Sequence, residues 1–171
     1  MIIPPKLKQN DLIAILSPSG RINSNIIDNA KTKLEQKGYR VKILKHAKGN
    51  YYQYAATDSQ RLEDLQNALD NPEISCILCA RGGYGAIRIV DNLNFTQIKK
   101  HPKWVVGFSD ITVLHSAFQN AGIASIHGPM AKSISNDDFI AAKYLFQALE
   151  SNNLEYKFKN HFLNKTGKHD E

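Results

Sequence analysis

The sequence is short of the features that would take a 171-residue chain out of the ordinary globular class. No apolar run approaches the roughly 18–20 residues that a membrane-spanning helix needs, so no membrane partner is expected. The opening Met1-Ile2-Ile3-Pro4-Pro5-Lys6 has neither the basic region nor the apolar stretch of a secretory signal, which makes the cytoplasm the expected compartment. Low-complexity tracts and internal repeats are missing. With 42% hydrophobic and 22% charged residues, disordered and fibrous classes are excluded. What remains is one domain long enough to bury a core without staples.

Acidic residues are scarce in one stretch. Lys31, Lys33, Lys37, Arg40, Lys42, Lys45 and Lys48 face a single Glu35, and this segment accounts for the whole net charge of +6. A basic cluster attracts nucleic acid when aromatic side chains or a recognition motif accompany it. Neither does here. A solvated helix face is the expected reading, with no nucleic-acid partner.

Cysteine is limited to Cys76 and Cys79, spaced as in a redox C-x-x-C. Ile74–Cys79, however, reads as a buried strand, in which positions three apart point to opposite faces. The two sulfurs are therefore expected to be separate reduced core thiols, not a disulfide or a metal pair. No metal and no cofactor is expected.

Strand-like apolar runs alternate with helical stripes along the chain. Leu12–Leu16 reads as a buried strand, and Ile26, Ile27, Ala30 and Leu34 trace a helix that Gly38 closes. Val41 and Ile43 share one face of a strand within Tyr39–Leu44. Thr57 or Asp58 caps a helix carrying Leu62, Leu65 and Leu69, which ends before Pro72. After Ile74–Cys79 come a short helix over about 86–92, another turn within 95–100, the strand Trp104–Phe108, and a helix from Ser109 to Asn120. A short strand Ala124–Ile126 and a helix over about 137–149 complete the pattern. Apolar strands alternating with helices predict an α/β domain with a doubly wound, mainly parallel sheet and helices on both faces. This domain is expected over residues 1–150, followed by a linker-like tail over 151–171.

In that architecture ligands sit in a crevice at the carboxyl ends of the strands. The sequences just past the strands are Ser17-Pro18-Ser19-Gly20, Arg81-Gly82-Gly83-Tyr84-Gly85, Ser109-Asp110 and His127-Gly128-Pro129. Gly107-Phe108-Ser109-Asp110 puts a serine where a strand turns directly into a helix. An oxyanion formed beside it would meet the Asp110 N–H and the positive helix end. Position 111 is Ile, so the match to G-x-S-x-G is incomplete, and a plain helix cap fits the same residues. The glycine cluster fails dinucleotide and P-loop spacing. It fits either a tight turn or a second oxyanion N–H donor, with Arg81 available to a substrate carboxylate. Arg81, Tyr84 and His127 are the expected substrate contacts. A nucleophilic serine needs a base; His115 falls about 240° around the helix from Ser109, and no convincing base–carboxylate pair is visible.

Taken together, Ala80–Ala86, Val106–His115 and His127–Met130, with the opening Pro4-Pro5-Lys6-Leu7 and Asp11–Ser19, resemble the blocks of the LD-carboxypeptidase family. These are serine peptidases of the muramoyl-tetrapeptide carboxypeptidase and microcin C immunity type. The resemblance implies a cytoplasmic hydrolase that releases terminal D-alanine from murein tetrapeptides during peptidoglycan recycling; the immunity branch cleaves a peptidyl-nucleotide antibiotic instead. It further implies Ser109 as nucleophile, Asp110 with Gly82 or Gly83 in the oxyanion hole, and homodimers. The triad's Glu and His belong to a C-terminal domain in that family, so this polypeptide alone is expected to be nearly inactive. Competing readings are a non-catalytic ligand-binding α/β module and an inactive truncated remnant.

Overall fold

The computed structural model describes residues 1–136, 140–151, 155 and 162–163. Five strands form one parallel sheet: β1 (Leu12–Leu16), β2 (Arg40–Ile43), β3 (Ile74–Cys79), β4 (Trp104–Gly107) and β5 (Ile126–His127), in the order β2-β1-β3-β4-β5. The helices are α1 (Ser24–Gln36), α2 (Asp58–Asp70), α3 (Thr96–Lys100), α4 (Thr112–Asn120), α5 (Ala131–Ser135) and α6 (Ile140–Glu150). This is the doubly wound α/β domain that the alternating pattern predicts.

Two apolar cores sandwich the sheet. On β1, Leu12, Ala14 and Leu16 face the core shared with α2, α3 and α4, while Ile13 and Ile15 face the one shared with α1, α5 and α6. Alternation is the reason: successive side chains of a strand point to opposite faces, so a strand buried on both sides reads as apolar throughout. A register shift between Leu12/Ile13 and Ile74/Cys76 leaves Ser75 as an extra residue on β3. Beyond it, Cys76 enters the α1 core and Cys79 the α2 core. Both thiols are free and buried, and burial pushes the Cys79 thiol up to about 12.

The local signals behave as their chemistry requires. Thr57 caps α2 through a capping box with Gln60, and Gly38 takes a left-handed φ of 96° after α1. Much of the basic stretch is neutralised on the surface, with Lys31, Lys37, Lys45 and Lys48 paired to Glu35, Glu150, Glu63 and Asp28.

Two expectations need correction, and one helix is additional. The helix over 86–92 is two 3-10 turns, Ala86–Arg88 and Val90–Asn92. The last strand lies at Ile126–His127 and not at 124–126, because the Ala124 N–H pairs with the Ile2 carbonyl at 2.8 Å instead of with β4. Helix α5 has no counterpart in the sequence pattern, because five residues are too few for a helical period to show. Residues 137–139 and most of the expected tail lie outside the described residues. Among the latter, no helix is long and apolar enough to cross a membrane.

Candidate active site

The exits of β1, β3, β4 and β5 converge on one edge of the sheet. The Gly20 N–H donates to the Gly82 carbonyl at 3.2 Å, and the Gly128 N–H to the Gly107 carbonyl at 3.0 Å. Each glycine contact here is a close backbone approach. A Cβ on Gly107 would stand 2.7 Å from Ile111 Cγ2, so Ile111 folds back over the strand end and the chain reverses at once into a 3-10 turn, Ser109–Ile111. A Cβ on Gly82 would stand 3.0 Å from Ser109 Cβ and 3.1 Å from its Oγ.

Ser109 pays for this reversal in backbone strain. It has φ 64°, a left-handed conformation that costs a non-glycine residue about 1–3 kcal/mol and recurs where function requires it. Its side chain lies against the glycine turn, and the residue is exposed to solvent. Among the described residues no hydrogen bond engages the Ser109 hydroxyl. The residue is therefore not acting as a helix cap, and the 3-10 turn has no side-chain cap. Asp110, as the second residue of the turn leading into α4, has an N–H at the positive helix end with no intrahelical acceptor.

The Asp110 side chain has a role that the sequence did not reveal. Its Oδ2 accepts from Ser19 Oγ at 2.7 Å and from the Ala86 N–H at 2.9 Å. One carboxylate oxygen thus ties the β1 exit and the glycine turn to the serine-bearing elbow. Arg61 does related work from below. It is 1% exposed, and its guanidinium donates to the Gly85 carbonyl at 2.9 Å, the Ala56 carbonyl at 3.2 Å, and the Pro18 carbonyl. Asp58 neutralises it and also pairs with Arg88; these two arginines, Arg88 foremost, hold the Asp58 carboxyl below its usual range. The available signal was an arginine on the buried stripe of α2, four residues before Leu65.

His115 does not reach the serine, as its helical angle predicts. One ring nitrogen contacts the Gly107 carbonyl at 2.9 Å and the other Ser125 Oγ at 2.8 Å. The carbonyl requires the ring to donate there, while the Ser125 hydroxyl can either donate to or accept from the other nitrogen. Burial, followed by the neighbouring His127, holds its pKa below the usual histidine value. His115 thereby braces the last residue of β4, just before the elbow.

The expected substrate contacts line the same edge. Arg81 donates to the Gly82 carbonyl at 3.2 Å and the Arg21 carbonyl at 3.1 Å. Tyr84 is 52% exposed, with its ring 6.4 Å from that of Tyr54. His127 is exposed, its ring 6.1 Å from Phe108. Gly83 takes φ 123° and lies against Gly20. Among the described residues no group of three or more His, Cys, Asp or Glu side chains could hold a metal ion.

The sequence and the fold have counterparts among known proteins. The family model for the LD-carboxypeptidase N-terminal domain matches residues 13–128. A probable murein peptide carboxypeptidase of Bacillus subtilis is 37% identical over 154 residues, 86% of this chain and 48% of that protein. The murein tetrapeptide carboxypeptidase of Pseudomonas aeruginosa is 37% identical over 123 residues, 71% of this chain and 40% of that protein. Among solved structures, an MccF-like protein from Bacillus anthracis superimposes with a TM-score of 0.82 at 28% identity, covering 88% of this chain and 48% of the other. The chain thus spans about half the length of the relatives it matches. With the family model matching residues 13–128 and relatives 37% identical, the chain belongs to the LD-carboxypeptidase family, as the family's N-terminal domain.

Proposed function

We propose that this domain is the nucleophile-bearing half of a serine-type carboxypeptidase that releases terminal D-alanine from murein tetrapeptides in cytoplasmic peptidoglycan recycling. The observation that carries the reading is the state of Ser109: strained, exposed, its hydroxyl without a hydrogen bond among the described residues, and packed on a glycine turn at a helix start. Its Oγ attacks the scissile carbonyl. The oxyanion then meets the Asp110 N–H and an N–H of the Gly82–Gly83 turn, supported by the helix end. Arg81, Tyr84 and His127 contact the peptide. The substrate class and the serine chemistry rest on the family and on the relatives' names together with this geometry.

The hydroxyl still needs a base to take its proton. His115 has both ring nitrogens engaged elsewhere. A base and its orienting carboxylate are thus required from a C-terminal domain, and these 171 residues alone should be nearly inactive. Loss of the base alone costs about a millionfold in a serine protease. The test measures D-alanine release from a murein tetrapeptide by this polypeptide, and by a chimaera joining it to the C-terminal half of the Bacillus subtilis relative. The chimaera should turn over and its Ser109→Ala form should not. A Ser109→Ala chimaera that stays active would refute the nucleophile; rapid release by the 171 residues alone would refute the missing base.

A further inference from the structure

We infer that the cleft between the exits of β1, β2 and β3 is an anion-recognising subsite, which holds a carboxylate or phosphate group that the substrate carries away from the bond being cut. Its position comes first. In a sheet of order 2-1-3-4-5, the chain switches direction between β1 and β3, and that switch point is where such sheets bind ligands. A cleft of 520 Å³ opens there, lined by residues that include Arg21, Ser24, Lys48, Asn50, Arg81 and Lys132. It adjoins the candidate active site, because Arg81 and Gly82 separate it from Ser109.

Charge is the second argument. Four cationic side chains line the cleft and no carboxylate does. Lys48 is neutralised by Asp28 at 2.5 Å. Arg21, Arg81 and Lys132 have no carboxylate partner among the described residues. Three cations gathered around one cavity repel each other unless an anion joins them.

Two of the cations are also held in place, and the third is carried on a fixed backbone. Arg21 donates one N–H to Asn50 Oδ1 at 2.8 Å, and Arg81 uses two, on the carbonyls of Gly82 and Arg21. A guanidinium has five N–H donors, so most remain for a ligand. The backbone of Lys132 is fixed by its N–H to the Ala80 carbonyl at 3.0 Å, beside Arg81. Helix α1 starts at the cleft with no acidic residue in its first turn, so its positive end is not offset. An oxyanion meets each of these requirements, whereas a neutral acceptor leaves the charge unanswered and a cation is repelled.

The subsite's part in peptide recognition rests on the reading of Ser109 as nucleophile, but its affinity for anions does not. Calorimetric titration of the chain with citrate and with inorganic phosphate tests it, at low and then raised ionic strength. Saturable one-site binding is expected, weakening with salt. Lys132→Gln and Arg21→Gln should each weaken binding about tenfold, as loss of one charge-assisted contact does. Lys45→Gln, which removes a surface charge outside the cleft, should leave it unchanged. Tighter citrate binding identifies a carboxylate as the group held, and tighter phosphate binding a phosphate. The inference is overturned if neither anion saturates, if both cleft variants bind like the wild type, or if Lys45→Gln weakens binding equally. Labelling of Ser109 by a fluorophosphonate probe, done in the chimaera that supplies the base, separates the two readings. Labelling without anion binding removes the subsite alone, and anion binding without labelling removes the nucleophile alone.

Discussion

Replacing Asp110 by alanine should cost far more than an exposed turn residue normally does. Its Oδ2 accepts two hydrogen bonds, from Ser19 Oγ at 2.7 Å and from the Ala86 N–H at 2.9 Å. Bonds to a charged acceptor contribute about 1.5–3 kcal/mol each, and Ser19 and Ala86 are both fully buried, so their donors would be left without a partner. Asp110→Ala should therefore destabilise the domain by about 3–5 kcal/mol. At about 2–4 °C per kcal/mol for a domain of this size, Tm should fall by about 6–20 °C. Asp110→Asn keeps an oxygen for both donors and loses only the charge, for about 1 kcal/mol. Urea denaturation followed by circular dichroism measures all three proteins, with m-values checking that the unfolded states match. A double-mutant cycle with Ser19→Ala should return a coupling of about 1–2 kcal/mol. If Asp110→Ala unfolds within about 0.5 kcal/mol of the wild type, the carboxylate is not the tie between the three strand exits, and the account of the elbow fails with it.

Glycine has no penalty at the φ of 64° that Ser109 adopts, so Ser109→Gly should stabilise the fold by about 1 kcal/mol while removing any reaction at this position; an unchanged or lowered denaturation midpoint would contradict the strain. Lys103 is 1% exposed, and its ammonium donates to the Ala68 carbonyl at 3.1 Å and to the Asn71 carbonyl at the end of α2. Burial lowers its pKa to about 8 from the ordinary 10.5. Between these values the unfolded chain binds more protons than the folded one, so this group makes stability rise with pH above about 8. The wild type should gain about 2 kcal/mol relative to Lys103→Met from pH 8 to about pH 10, measured by urea melts of both. The comparison stops there because Tyr39, whose pKa is raised, pulls the other way above its ordinary value of 10.0.

The fold was legible because its strands are buried on both faces and their helices carry standard caps. Leu12–Leu16 and Ile74–Cys79 read as continuous apolar runs, and their bounds agree with the structure. Errors came where tertiary pairing overrides local pattern, as when Ala124 joins Ile2 instead of β4. The positions of Ser109, Arg81, Gly82 and His127 on one edge follow from topology alone. Less visible were the groups that hold that edge together. Asp110 reads as a helix-start acid, yet its side chain bonds across 91 residues to Ser19. Likewise, the ring of His115 reaches back to Gly107 and across to Ser125. Sequence spacing cannot show contacts that exist only once strands β1, β3 and β4 lie side by side.

The central claim is that Ser109 is an attacking group set in a formed oxyanion site, and site-mapped fluorophosphonate labelling tests it most directly. The base that activates the hydroxyl comes with the C-terminal half, so the chimaera with the Bacillus subtilis C-terminal half is the protein to label. The folded chimaera should take up one phosphonyl group, located on Ser109 by tandem mass spectrometry, faster than the urea-unfolded chimaera does. Uptake that is spread over several serines, equally fast when unfolded, or undiminished in Ser109→Ala would contradict the account.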